Sequence, residues 1–133
     1  MGAVRSRYGD ETIIALDNLI GRELVGVEVS ADKERVTFRC VDGVQTFGVT
    51  TECCDVAWIE HLELPVGSAR WVVTGHRRLD ERIDSAEGGG DNDVLRVYQD
   101  VFATSRGDIV LEYRHASNGY YDGGLEAHTW VAA

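Results

Sequence analysis

The chain has 133 residues, near the commonest size for one domain and enough to bury roughly two thirds of the surface its unfolded form exposes. Hydrophobic residues make up 44% and charged residues 27%, ordinary globular usage that argues against a disordered or fibrous chain and for one compact domain over 1–133. Thirteen basic against 23 acidic residues give a formal charge of −10, which repels a phosphate backbone, so direct nucleic-acid binding is not expected.

In chain order, Asp10 is a candidate N-cap, and Ile13, Leu16 and Ile20 recur at helical spacing up to the stop at Gly21. This predicts a short N-terminal helix. In "LVGVEVS", Val25, Val27 and Val29 alternate with Gly26 and Glu28 as in a half-buried strand. "ERVTFRC" and "VQTFGVT" flank Val41, Asp42 and Gly43, and Asp-Gly between alternating runs is a hairpin signal. Cys40 ends the alternation Val36, Phe38, Cys40 and reads as a small buried hydrophobe.

The segment Cys54 to Leu64, closed by Pro65 and Gly67, predicts a second helix with Cys54, Trp58, His61 and Leu62 near one face. "ARWVVTGH" returns as a strand, and 84–93, with Gly88, Gly89 and Gly90 among acids, reads as a flexible loop. "VLRVYQDVFAT" and "DIVLEYRHA" form a further hairpin around Ser105, Arg106 and Gly107. The tripeptide Arg106-Gly107-Asp108 matches an adhesion motif, but these are ordinary turn residues. "SNGYYDGG" leads to a last strand, "LEAHTWVA". The expected fold is α+β: an antiparallel, meander-rich sheet of about six to seven strands with two short helices packed on one face.

Two stretches carry candidate chemistry. If Asp55 caps a helix, Cys53 and Cys54 sit beside orphan backbone N–H groups, where a thiolate is favoured. Cys53 or Cys54 with His61, or with His76, His115 or His128 as base, is then a thiol-enzyme reading; buried structural cysteines are the bland alternative. Adjacent thiols with a distant histidine suit tetrahedral zinc poorly, and no metal or cofactor is expected. The second stretch is the Gly-rich loop around Asn118, Tyr120 and Tyr121, whose rings offer stacking surface and hydroxyls for a partner side chain or a flat ligand. A wide hairpin with one tyrosine packed inward competes with that reading. Asp91 and Asp93 after the glycines suggest one calcium-binding β-roll repeat, which lacks a stacked neighbour.

No run approaches the roughly 20 apolar residues of a membrane span, and "MGAVRSRYGDE" lacks the apolar core of a secretion signal. Three cysteines, two of them adjacent, suit a reducing compartment. The expected location is the cytoplasm. Gly2 and Ser6 fit a loose myristoylation pattern that recurs by chance. The acidic excess also admits mimicry of DNA, although "HRRLDER" at 76–82 interrupts it. Trp130 or exposed sheet edges would serve a homodimer.

"LDNLIGRELVGVEVS", "ECCDVAWIEHLEL" and "EYRHASNGYYDGGLE" together resemble a family of small uncharacterised domains of actinobacteria and tailed phages. The shared positions are Glu52, Cys53, Cys54, Trp58 and Ser117 through Tyr121; Asp122 and the 84–93 insertion depart from the pattern. The resemblance implies a setting, a phage or prophage accessory protein of the cytoplasm, and no chemistry. The Gly-rich aromatic loop leads separately to the expectation of a binding module that contacts a host protein or small ligand through Asn118, Tyr120, Tyr121 and Trp58.

Overall fold

The computed structural model describes residues 16–49, 56–67, 70–84, 94–117, 124–128 and 130–132, with the backbone alone described for 81–84. Among these residues there are nine strands: β1 (Glu23–Val29), β2 (Arg35–Cys40), β3 (Gly43–Val49), β4 (Val56–Glu63), β5 (Trp71–Asp84), β6 (Val94–Thr104), β7 (Gly107–Ser117), β8 (Leu125–Ala127) and β9 (Val131–Ala132). The strand path runs β4-β7-β6-β5-β1-β2-β3-β8, with β9 pairing β3 beyond Gly43 and Val44. All named pairings are antiparallel.

The sheet turns a corner where β1 meets β5 through only two residue pairs, Glu23 with Val72 and Leu24 with Trp71. It curls far enough that the Ile59 N–H on β4 donates to the Lys33 carbonyl at the tip of the β1–β2 hairpin, 2.7 Å away. The result is an incomplete barrel around one core. Phe38 of β2 meets Phe102 of β6 edge to face at 5.2 Å between centroids, and Phe47 packs on Phe38 at 5.6 Å. Leu24, Val36, Ile59, Trp71, Ile109, Leu111 and Leu125 complete the same cluster, drawn from both sides of the corner.

The α+β expectation is overturned. Of the predicted N-terminal helix, 10–15 lie outside the described residues, and what is described is its last turn before β1, in which Leu19 N–H donates to the Leu16 carbonyl and Ile20 N–H to that of Asp17. Leu16 is buried there as that spacing required, but Ile20 is 43% exposed and Leu19 is buried in its place. The predicted second helix is strand β4. Its register shifts between Ile59, opposite Tyr113, and His61, opposite Glu112. This bulge puts two residues against one, so Ile59 and Leu62 both turn inward three positions apart, and a strand acquires the spacing of a helix face. Val56, Trp58 and Ile59 are moreover good strand formers.

A bulge between Leu24 and Gly26 likewise buries Leu24 and Val27 while Val25 lies exposed, correcting the expected Val25-Val27-Val29 face. The last predicted strand is split into β8 and β9 around Trp130, which packs on the core instead of standing free on the surface. The Asp42-Gly43 hairpin and the β6–β7 hairpin form as expected, and Cys40 is buried.

Candidate functional site

The inner face of β5 and β6 carries a charge cluster that faces the core. Asp100 on β6 has no exposed surface, yet it accepts four hydrogen bonds. His76 Nε2 reaches Oδ1 at 2.8 Å and Arg78 Nε reaches the same oxygen at 3.0 Å. Arg78 Nη2 lies 3.2 Å from Oδ2, and the Tyr113 hydroxyl donates to Oδ2 at 2.7 Å. The other imidazole nitrogen, Nδ1, lies 3.0 Å from Asp17 Oδ1 on the turn before β1. Phe102 stacks under the imidazole at 4.9 Å, and Tyr98 stacks on Tyr113 at 5.2 Å.

The electrostatics follow from this geometry. Burial opposes the Asp100 charge, but the hydrogen bonds of His76, the Arg78 guanidinium and the Tyr113 hydroxyl outweigh it and hold the carboxyl below its usual range. Burial likewise opposes charge on His76, and the two flanking carboxylates, Asp100 and Asp17, more than reverse that and raise its pKa. Burial and the Asp100 charge push Tyr113 well up, so the phenol stays protonated and donates. Two acids are thus matched by two cations. A carboxylate offers about four acceptor positions, and those of Asp100 are taken; both imidazole nitrogens are engaged by carboxylates, leaving neither to activate a nucleophile. The cluster is a structural ion network that reaches the surface at Asp17 and, in part, at Arg78.

Its position depends on a third bulge. In β5, Val73 pairs with Thr104 and Gly75 with Ala103, so Thr74 is the additional residue. Were Thr74 paired in regular alternation from Trp71 and Val73, Gly75, Arg77 and Leu79 would face inward; the bulge instead sends His76 and Arg78 in and leaves Leu79 49% exposed. The sequence offered "TGH" and the buried Asp100 between Tyr98 and Phe102 as the only traces of this arrangement.

The sequence-predicted site residues are differently placed. Trp58 stands half-buried on the outer face of β4, its indole N–H donating to Glu60 Oε1 at 2.8 Å. His61 is exposed, with Nε2 3.9 Å from Glu63 Oε1, and no helix brings it and Trp58 onto one stripe. Cys53, Cys54, Asn118, Tyr120, Tyr121, Asp91 and Asp93 lie outside the described residues. The remaining thiol, Cys40, is pushed up to about 11 by burial and by the nearby Asp42 charge, and is no nucleophile at neutral pH. Among the described residues no three His, Cys, Asp or Glu side chains form a metal-holding group, and no helix is long and apolar enough to cross a membrane.

Among the described residues, hollows beside the core include two of note. One, of about 350 Å³, is a shallow groove between β1 and β4 with Val27, Val29, Ile59 and Leu62 as its floor. The other, of about 220 Å³, is more enclosed and lies between the turn before β1 and Trp130.

A family model described as a domain of unknown function (DUF7448) matches residues 17–126. That span begins at Asp17, the outer member of the ion network, and ends in β8. No curated protein and no solved structure matches the chain.

Proposed function

We propose that this chain, which belongs to the DUF7448 family, is a non-catalytic binding module: a phage or prophage accessory protein that engages a host protein in the cytoplasm through Asn118, Tyr120 and Tyr121, together with Trp58 on β4. One observation carries the reading. Val56, the first residue of β4, pairs with Ala116 at the end of β7, so the stretches bearing Cys53-Cys54 and Tyr120-Tyr121 join neighbouring strand ends. Asp84 pairs with Val94, and Val94 with Ser117, so 85–93 joins the same end of the sheet. Three sequence-distinct stretches attached to one end of a rigid sheet is the arrangement by which β-scaffolds build binding surfaces.

The saturated hydrogen bonding of His76 and Asp100 supports binding over catalysis. The acidic residues do not favour DNA mimicry either: Asp42 pairs with Arg22, Glu28 with Arg39, Glu23 with Arg70 and Asp80 with Arg96, which breaks up a phosphate-like array.

The test is a double substitution, Tyr120→Ala with Tyr121→Ala. It should leave stability within about 1 kcal/mol of the parent while removing the host protein that the parent captures. Unfolding of the double variant would assign the rings to packing and sink the proposal. Iodoacetamide labelling between pH 5 and 9 addresses the thiol-enzyme alternative: a Cys53 or Cys54 thiol titrating well below about 8.5 would favour it.

A further inference from the structure

We infer a second, independent site at the opposite end of the molecule: the hollow of about 220 Å³ between Asn18, Leu19, Arg22, Gln45 and Trp130 binds a neutral, planar, single-ring molecule whose edge carries an amide N–H beside a C=O, as in a pyrimidine lactam. Arg22 immediately precedes β1, whose Glu23 pairs with Val72 near the start of β5; the loop end lies beyond Asp84, at that strand's other terminus.

The argument starts from Gln45. It sits on the inner face of β3 between Gly43 and Phe47 and is only 6% exposed, a polar side chain in a position the strand pattern reserves for an apolar one. Its amide orientation is fixed, because Nε2 lies against two backbone carbonyls, that of His128 at 2.6 Å and that of Thr46 at 3.1 Å. Oε1 therefore points away from both carbonyls, and no hydrogen bond to it is found among the described residues. Oε1 keeps contact with solvent at the hollow, where a ligand N–H bonded to it would replace that solvent.

Arg22 supplies the complementary group. Its Nε donates to the Asn18 carbonyl at 2.8 Å and its Nη1 is paired with Asp42, which neutralises the cation and leaves Nη2 as the donor for a ligand carbonyl. The guanidinium also lies over the Trp130 ring, 4.3 Å from its centroid, so the indole stacks on Arg22 and holds it beside the hollow. Leu19 is buried and closes the hollow on its apolar side.

Size and charge narrow the class. The volume is below the roughly 300–1,000 Å³ of drug-sized sites, which limits the occupant to about one ring. The pairing of Arg22 with Asp42 and the chain's charge of −10 disfavour a phosphate-bearing nucleotide and leave the uncharged heterocycle.

The probe is uracil, titrated into the 15N-labelled full chain while the Trp130 indole N–H resonance is followed, assigned by its loss in Trp130→Phe. A saturable shift is expected. 1,3-Dimethyluracil keeps the ring and both carbonyls but has no N–H, and should bind at least about tenfold more weakly; Arg22→Leu, at a partly exposed pair, should weaken uracil by a similar factor without unfolding the chain. In Gly43→Ala the new methyl would stand 2.2 Å from Trp130 Cζ2, so the ring must move and uracil binding should fall in a chain whose Arg22 and Gln45 are intact. No saturable shift with uracil, equal binding of dimethyluracil, or full binding by Arg22→Leu would each overturn the assignment. None of these results bears on Tyr120 and Tyr121.

Discussion

A carboxylate with no exposed surface either keeps its charge through its neighbours or gives it up, and Asp100 keeps it through His76, Arg78 and Tyr113. Tyr113 is the cleanest member to remove. Phe fills the same volume, stays stacked on Tyr98 and takes away only the hydroxyl that donates to Oδ2. Tyr113→Phe should therefore cost about 2 kcal/mol in urea unfolding, the range for a hydrogen bond to a charged group. Asp100→Asn should cost more, about 3–5 kcal/mol, because it leaves the Arg78 and His76 cations without their shared partner. If Tyr113→Phe proved as stable as the parent, the carboxylate would need only its cations, and the four-bond account of Asp100 would be wrong.

Between elements, His76 fastens the turn before β1 to the inner face of β5 and β6, because its two nitrogens bond to Asp17 and to Asp100. Both bonds require the imidazolium. The groups facing it are the carboxylates of Asp17 from the turn and Asp100 from β6 and, through Asp100, the Arg78 cation of β5 and the neutral Tyr113 phenol of β7. Since the folded pKa is raised above the unfolded value of about 6.5, the stabilisation is fully present below that pH and is lost as pH rises through the folded value. The parent should lose more stability between pH 5.5 and 8.5 than His76→Gln does, measured as urea midpoints; equal losses would remove His76 from the account. Asp100 acts at the other extreme, since its lowered pKa gives stability that disappears only as pH falls below about 4.

The same element shows what the sequence could and could not reveal. The β2–β3 and β6–β7 hairpins were legible because period two and a turn signal coincide there. β4 was misread as a helix and β5 concealed the ion network for one shared reason: a bulge adds a residue and turns a spacing of two into three. Neither Glu60 nor Thr74 advertises itself as a bulge residue. The hollow beside Gln45 was hidden differently, since Trp130 reaches Gly43 across 87 positions of chain that local patterning does not relate.

Across the whole molecule, the two arms of the sheet are joined covalently and through the short β1–β5 corner, but their union is mainly one of packing. Phe102 is the residue where that union is concentrated. It is fully buried on β6, meets Phe38 of β2 edge to face, and supports the His76 ring that reaches the turn before β1. Truncation to alanine removes the ring from Phe38 and His76 at once and should cost about 3–5 kcal/mol. The pattern of loss matters more than its size. If β1–β3 and β4–β7 form one cooperative unit, amides of β2 and β6 in Phe102→Ala should lose hydrogen-exchange protection by the same free energy. If instead the β5–β6–β7 hairpins keep parental protection while β2 and β3 open, the arms are separate folding units. The barrel would then be two sheets leaning on each other, and the ion network would belong to one arm alone.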